Sequence, residues 1–262
     1  MKRIIITTSF VAIAACFVAP ATVSAEEGLG NVDRGRVIYQ FGKGDDVPAC
    51  QGCHAADGLG DDNVGTPRLA YQIDTYVLKQ LADFASGART DDTMYQMNDI
   101  GKALSEQDMK DVASYVHTLK TPYIGSNLDQ LRRDGAEVGD PAKGKMIAEY
   151  GAPDHGVPAC ESCHGFHGRS AGRMYPAVGG QNYVYLQHEL TSFRNAANEF
   201  GSKTLTAEEI ASKADNARTN DYMGQMRAVA KNLTDEDIQN LAAFLTLAKP
   251  TTPGNPRSPS RD

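Results

Sequence analysis

The chain has 262 residues, 41% of them hydrophobic, no Trp, and a formal charge of −7. That length fits one large domain or two ordinary ones. The acidic balance argues against nucleic-acid binding, because phosphate contact needs a basic surface, and points instead to partners with basic docking patches.

Residues 1–25 read as a signal peptide. Lys2 and Arg3 precede an apolar run from Ile4 to Ala19, and Val23-Ser24-Ala25 offers small residues for cleavage before Glu26. The run is too short for a spanning helix, which needs about 20 apolar residues. Export to the periplasm is the expectation. Ile13-Ala14-Ala15-Cys16 also resembles a lipobox, so lipid anchoring through Cys16 is the minor alternative. Losing Lys2 and Arg3 takes the formal charge from −7 to −9.

The mature chain opens with a helix capped at Asp33, with Val37, Ile38 and Phe41 as its apolar stripe. A Cys-x-x-Cys-His run follows at Cys50-Gln51-Gly52-Cys53-His54, and Pro67 comes 13 residues after His54. A second helix begins at Asp74, carries Val77, Leu78, Leu81 and Phe84, and closes at Gly87. A polar, loop-like stretch with Met94 and Met97 leads to a third helix. That helix starts at Ser105 with Asp108 three residues on, a capping-box pattern, and its stripe is Met109, Val112, Val116 and Leu119. The segment from Pro122 through Asp134 reads as a linker along the surface.

The whole sequence of elements then repeats. Val47-Pro48-Ala49-Cys50 recurs as Val157-Pro158-Ala159-Cys160. Pro67, Gln72, Tyr76, Leu81 and Phe84 recur at Pro176, Gln181, Tyr185, Leu190 and Phe193. Ala88-Arg89-Thr90, Met94, Met97 and Leu104 recur at Ala217-Arg218-Thr219, Met223, Met226 and Leu233, the offset having jumped by 20 residues. The second half therefore holds a 20-residue insertion near 197–216, read as a surface loop with a short helix. Asp140 with Pro141 caps the first copied helix, whose stripe is Met146, Ile147 and Tyr150; Asn182 precedes the second, and Thr234 with Asp237 caps the third. Each half thus reads as three helices around a loop-rich middle, with no period-2 strand pattern. The expected boundaries are domain one at 26–121, a linker at 122–138, domain two at 139–249 and a disordered, Pro- and Ser-rich tail at 250–262.

Both Cys50-Gln51-Gly52-Cys53-His54 and Cys160-Glu161-Ser162-Cys163-His164 fit the pattern of c-type haem attachment. Thiols three residues apart sit on one helical turn, so both reach the vinyl groups of one porphyrin, and the adjacent His faces the iron. A zinc ribbon would place its two pairs about 15–20 residues apart, whereas 106 residues separate Cys53 from Cys160. A thioredoxin-like site needs a βαβ context, which is absent. Cys50, Cys53, Cys160 and Cys163 are the expected haem anchors, and His54 and His164 the proximal iron ligands. Met is the sixth ligand of high-potential cytochromes c. Both Met pairs are copied, so the repeat does not choose within them. Met97 and Met226 are preferred because each stands seven residues before the Leu that precedes the cap of the last helix. A carbonyl near Pro67 or Pro176 is a candidate acceptor for the His Nδ1–H. His117, His155, His167 and His188 lack a matching His in the other half and are not ligand candidates; His167 stands nearest a haem motif. Arg89 and Arg218 read as solvated surface, with contact to haem propionates as the alternative.

The order of haem motif, Pro, late Met and final helix resembles class I cytochromes c, and two such halves resemble the dihaem cytochrome c4 family. The resemblance covers about 30–120 and 140–248. It implies an all-α fold of two tandem haem domains facing each other across a pseudo-twofold axis. It also implies two covalent haem c groups with His/Met ligation through His54/Met97 and His164/Met226. The implied function is electron carriage rather than enzymatic catalysis. Donors would be quinol-oxidising complexes or sulfur-oxidising enzymes, and the acceptor a terminal oxidase. The alternatives are a dihaem oxidoreductase with a labile iron ligand, or an electron-transfer subunit of a dehydrogenase such as a flavocytochrome that oxidises sulfide.

Overall fold

The computed structural model describes residues 29–121, 125–170, 172 and 174–249. The segment expected to be a signal peptide, with its lipobox-like run, and Pro122, Pro250 and the expected tail lie outside them. The first half contains α1 (Val32–Phe41), α2 (Gln51–His54), α3 (Asp74–Ser86), α4 (Met97–Ala103) and α5 (Glu106–Thr118). A connecting helix α6 (Leu128–Arg133) precedes the copies α7 (Pro141–Tyr150), α8 (Glu161–His164), α9 (Tyr183–Phe200), α10 (Ala207–Ser212), α11 (Gln225–Ala230) and α12 (Asp235–Leu247). Only isolated bridges, and no strands, occur among the described residues. The protein is a tandem duplication of an all-α unit.

Each half is built on one close helix crossing, α1 against α5 and α7 against α12. Gly35 and Gly144 permit the approach. A Cβ at Gly35 would lie 1.9 Å from the Asp111 carbonyl oxygen, and one at Gly144 would lie 1.8 Å from that of Asn240. The next chain link pins the same crossing. The Asn31 N–H donates to Asp111 Oδ1 at 2.7 Å, and the Asp140 N–H donates to Asn240 Oδ1 at 2.7 Å. Apolar side chains close the two cores around these crossings. Ile38, Tyr39, Leu81, Met109, Val112 and Val116 are buried in the first, and Ile147, Tyr183, Leu186, Phe193, Ile238 and Leu241 in the second.

Several local expectations hold. Capping boxes at Ser105/Asp108 and Thr234/Asp237 start α5 and α12. Asp140 caps α7 with Pro141 at its first position, and Gly87 ends α3 in the left-handed region at φ 77°. Other expectations are corrected. Asn31, not Asp33, caps α1, accepting from the Arg34 N–H at 2.9 Å. Val37 and Phe41 are 48% and 75% exposed, and their copies Met146 and Tyr150 are exposed too. The glycine contact turns the Gly35–Ile38–Tyr39 face inward, which carries Val37 and Phe41 round to solvent. Asn182 makes no capping bond at α9; its amide donates instead to the Leu59 and Thr66 carbonyls of the first half. Each half also has a helix the periodicity did not show, α4 and α11, in the stretch read as loop. Those helices are seven and six residues long, too short to display a stripe.

The connecting segment does more than run along the surface. Leu128 is buried in the second core, and Ser126 bonds both Thr246 and the Tyr183 N–H. The insertion adds the expected short helix, α10, and also lengthens α9 relative to α3, which was not expected.

Gly35→Ala and Gly144→Ala should each destabilise the protein by about 1–3 kcal/mol through overpacking. Propensity alone would favour Ala in a helix by about 1 kcal/mol, so the sign is diagnostic. Thermal or urea unfolding checks it, and an unchanged or raised midpoint would mean the helices do not approach this closely.

Candidate functional site

The two Cys-x-x-Cys-His runs fold into single helical turns, α2 and α8, each beginning beside its first Cys. Successive turns place Cys50 with Cys53 and Cys160 with Cys163 on one face, followed at once by His54 and His164. The carbonyls expected from the proline loops are in position. His54 Nδ1 is 3.1 Å from the Pro67 oxygen, and His164 Nδ1 is 2.9 Å from the Pro176 oxygen. A carbonyl only accepts, so Nδ1 carries the proton and Nε2 keeps its lone pair for a metal. Burial pushes both imidazoles below the usual histidine range, partly opposed by those carbonyl bonds. Both are therefore held neutral, the state that ligation requires.

None of the four cysteines is in a disulfide. Burial pushes the Cys50 and Cys160 thiols up to about 11. Dithiol exchange needs the opposite shift, toward thiolate.

One cavity of about 570 Å³ joins the two halves, a size within the ~300–1,000 Å³ typical of cofactor sites. Cys50, Cys53 and His54 line it from one side, and Cys160, Cys163 and His164 from the other. Met97 and Met226 line it as well, each packed against the core of its own half. Met94 and the half-exposed Met174 also reach its wall. Met223 lies outside it, 67% exposed, with φ 51°.

Between the two motifs lies a group of residues that the sequence reading placed on the surface. Arg89 and Arg218 are buried, and both are ion-paired with the single carboxylate of Glu189. The arrangement crosses between the halves in both directions. Arg89 donates to the Tyr185 hydroxyl at 3.0 Å, and Arg218 donates to the Tyr76 hydroxyl at 3.1 Å. Arg89 lies 4.6 Å over the Phe84 ring and Arg218 4.5 Å over the Phe193 ring. Gln80 accepts from both guanidiniums, at 2.7 and 3.1 Å.

A second reciprocal pair holds the proline loops. Gln72 exchanges two hydrogen bonds with the backbone of Ala177, at 2.9 and 3.0 Å. Gln181 does the same with the backbone of Arg68, at 2.9 and 2.7 Å. Repetition had marked Gln72 and Tyr76 without giving them a role; their work is to join the halves. His117 and His188, set aside as ligands, bond the Gln72 carbonyl and Asp92 respectively.

The residues fit haem. The Arg89–Arg218–Glu189 group by itself carries one net positive charge, which suits the anionic propionate edge of a porphyrin, although Asp91, Asp92, Asp215 and Asp221 line the same cavity. Paired thiols, a neutral imidazole with a free Nε2 and a thioether lining the same cavity are the groups that attachment and ligation would use.

Burial pushes the Glu189 carboxyl up, but the Arg218 and Arg89 guanidiniums outweigh it and hold the group down to about 2, against an ordinary value of 4.5. A carboxylate with a depressed folded pKa stabilises above its unfolded pKa and loses that contribution as pH falls through the folded value. Glu189→Gln should cost about 3–5 kcal/mol at neutral pH, because two buried guanidiniums lose their counter-charge. The gap between native and variant in urea unfolding should narrow between pH 4.5 and about 2. A gap independent of pH would contradict the charge assignment.

Comparison with known proteins places this geometry. The cytochrome c family model matches residues 32–120 and 142–248, one match per half. The thiosulfate dehydrogenase electron acceptor of Stutzerimonas stutzeri is 31% identical over 80% of this chain and 84% of its own length. Cytochrome c4 of Pseudomonas aeruginosa is 33% identical over 64% of this chain and 77% of its own. Among solved structures, cytochrome c4 from Pseudomonas stutzeri superposes with a TM-score of 0.58 at 25% identity, covering 84% of this chain and all of that one. A thiosulfate dehydrogenase from Marichromatium purpuratum gives a TM-score of 0.66 at 28% identity over 88% of this chain. This chain spans only 43% of the length of that structure. With a family match on each half and a Cys-x-x-Cys-His turn in each, the chain belongs to the cytochrome c family, as a c4-like electron-transfer protein with two covalently bound haem c groups.

Proposed function

We propose that the protein is a periplasmic electron carrier whose irons are ligated by His54 with Met97 and by His164 with Met226, and whose haems are anchored by Cys50, Cys53, Cys160 and Cys163. The observation that carries the ligand assignment is the contrast within the second Met pair. Met226 lines the shared cavity and packs on the second core, while Met223 points away from it into solvent. By duplication the same position in the first half is Met97, which also packs on its core.

Bound haem supplies reversible one-electron chemistry. His54 and His164, held by the Pro67 and Pro176 carbonyls, would each supply one ligand to an iron. Met97 and Met226 would supply the second ligand to each, which would leave no open position for substrate. The cavity surface is mostly apolar, which together with a thioether ligand would favour a high potential. Partners approach from outside, and the protein is not itself an enzyme.

Export through residues 1–25 accounts for the compartment. Among the described residues no helix is long and apolar enough to cross a membrane. With a mature formal charge near −9, encounter with a basic partner surface is steered electrostatically. Two relatives are named as electron acceptors of thiosulfate dehydrogenase, which favours a sulfur-oxidising donor over a quinol-oxidising one.

Replacing Met97 or Met226 by Ala should each abolish the Met-to-iron absorption band of one haem and lower its potential. Replacing Met94 or Met223 should leave both bands. A redox titration followed by absorption checks this, and the reverse pattern would transfer ligation to the other Met of the pair. Stopped-flow reduction by a basic donor should slow as salt rises, since the Debye length shrinks from about 10 Å at 0.1 M to about 3 Å at 1 M. A rate indifferent to salt would remove the docking proposal.

A further inference from the structure

The insertion of the second half is tied to the segment that carries Met226. Arg227, the next residue, is 1% exposed, the largest side chain so fully buried among the described residues. Its Nε donates to Asp221 Oδ1 and its backbone N–H to Asp221 Oδ2, both at 2.9 Å. Its two terminal nitrogens reach into the insertion, donating to the Gly201 carbonyl at 3.1 Å and the Lys203 carbonyl at 2.9 Å. Gly224 sits two residues before Met226, where a Cβ would lie 2.0 Å from the Ser202 carbonyl oxygen. The start of the insertion therefore lies directly against the turn into α11.

The insertion is itself held at its other end. Thr206 and Glu209 form a capping box on α10, and Lys203 pairs with Glu209. Lys213 then crosses to the first half, donating to the Gly87 carbonyl at 3.1 Å and to Thr90 Oγ1 at 2.9 Å.

The first half solves the same problem without an insertion. Asn98 stands where Arg227 does. Its amide donates to the Phe84 and Arg89 carbonyls at 2.8 Å, and its oxygen accepts from the Asp91 N–H at 2.8 Å. The Asp91 carboxylate collects the N–H groups of Thr93, Met94, Gln96 and Met97. That hold is local, made of short side chains within one loop. The hold in the second half is a buried ion pair that reaches into an added piece of chain.

We infer that Arg227 and Asp221 are positioning residues that brace the Met226 segment against the insertion, so that the 20-residue insertion controls retention of the sixth ligand at the second haem alone. This rests on the reading that Met226 ligates iron. A guanidinium with three bonds, one to a carboxylate and two to carbonyls, together with the Arg227 backbone N–H on the same carboxylate, fixes the backbone one residue from the thioether. Without it, the α11 turn keeps Met226 in sequence but loses the contact that stops it swinging out of the cavity.

The test is the double variant Asp221→Asn/Arg227→Gln, which removes the ion pair without stranding a buried charge. It is prepared as the two-haem holoprotein and examined by the ferric Met-to-iron band and by proton NMR of the reduced form, where each iron-bound Met gives its own upfield methyl signal. The expected result is loss of about half the band intensity, and loss or broadening of one of the two methyl signals with the other unmoved. A purely structural role would lower the unfolding midpoint while leaving both signals sharp, and that result overturns the inference. If the double variant yields no holoprotein, Arg227→Lys keeps the charge but shortens the reach to Gly201 and Lys203; it is read in the same way, with the same expected and contrary results. The Met226→Ala variant separates the two claims. If Met226→Ala spares both bands, the ligand assignment fails. If it removes one band and the brace variants remove none, only the brace fails.

Discussion

A single buried carboxylate decides how the two halves meet. Arg89 and Arg218 are drawn to the same spot by the duplication, and two guanidiniums in a medium of low dielectric repel strongly. Glu189 pairs with both, Gln80 offers each a further acceptor, and the Phe84 and Phe193 rings cover the outer faces. With that knot tied, Gln72 and Gln181 come within reach of the opposite proline loop. Those loops provide the carbonyls that orient His54 and His164. The interface therefore does not simply glue two finished domains together. It reaches, in two hydrogen-bonded steps, the imidazoles of His54 and His164, the proposed iron ligands.

The duplicated halves differ where identity would be costly. At the pseudo-twofold axis two copies of one residue face each other, so a repeated Glu would bring two carboxylates together and a repeated Gln would leave both guanidiniums unpaired. The chain uses Gln80 in one half and Glu189 in the other, at matching positions. Elsewhere Asp111 and Asn240 stand at matching positions and accept the same backbone N–H in each half. Asn98 and Arg227 mark a third divergence, where a local amide clasp is exchanged for a long-range one. Through these changes two similar sites on one shared cavity acquire different surroundings.

Much of this was legible in the residues. The haem turns, the proline carbonyls, the capping boxes and the duplication rest on short spacings, which one linear sequence displays directly. The insertion appeared as a jump in offset. What was not legible depends on partners far along the chain. Arg89 looks solvated beside its neighbours, because the groups that bury it, Tyr185 and Glu189, are about a hundred residues away. Repetition pointed to Gln72 and Tyr76 without revealing that they serve the interface, since a self-complementary surface and an internal core leave the same trace in a repeat. Val37 and Phe41 were misplaced because an i, i+4 apolar pair suggests a buried stripe, whereas one glycine contact sets the rotation of α1. Helices α4 and α11 are too short for periodicity to register, although they carry the residues that matter most after the haem motifs.

The central claim is that both irons are closed by protein ligands, so electrons pass at the haem edges and nothing binds to iron. Carbon monoxide mixed rapidly with the fully reduced native protein at neutral pH tests it directly, because a reduced haem with an open or weakly held sixth position takes up the gas at once. Slow or absent binding at both haems is the predicted result. Fast binding at either haem would contradict the claim and would mark that iron as a site for catalysis rather than for carriage.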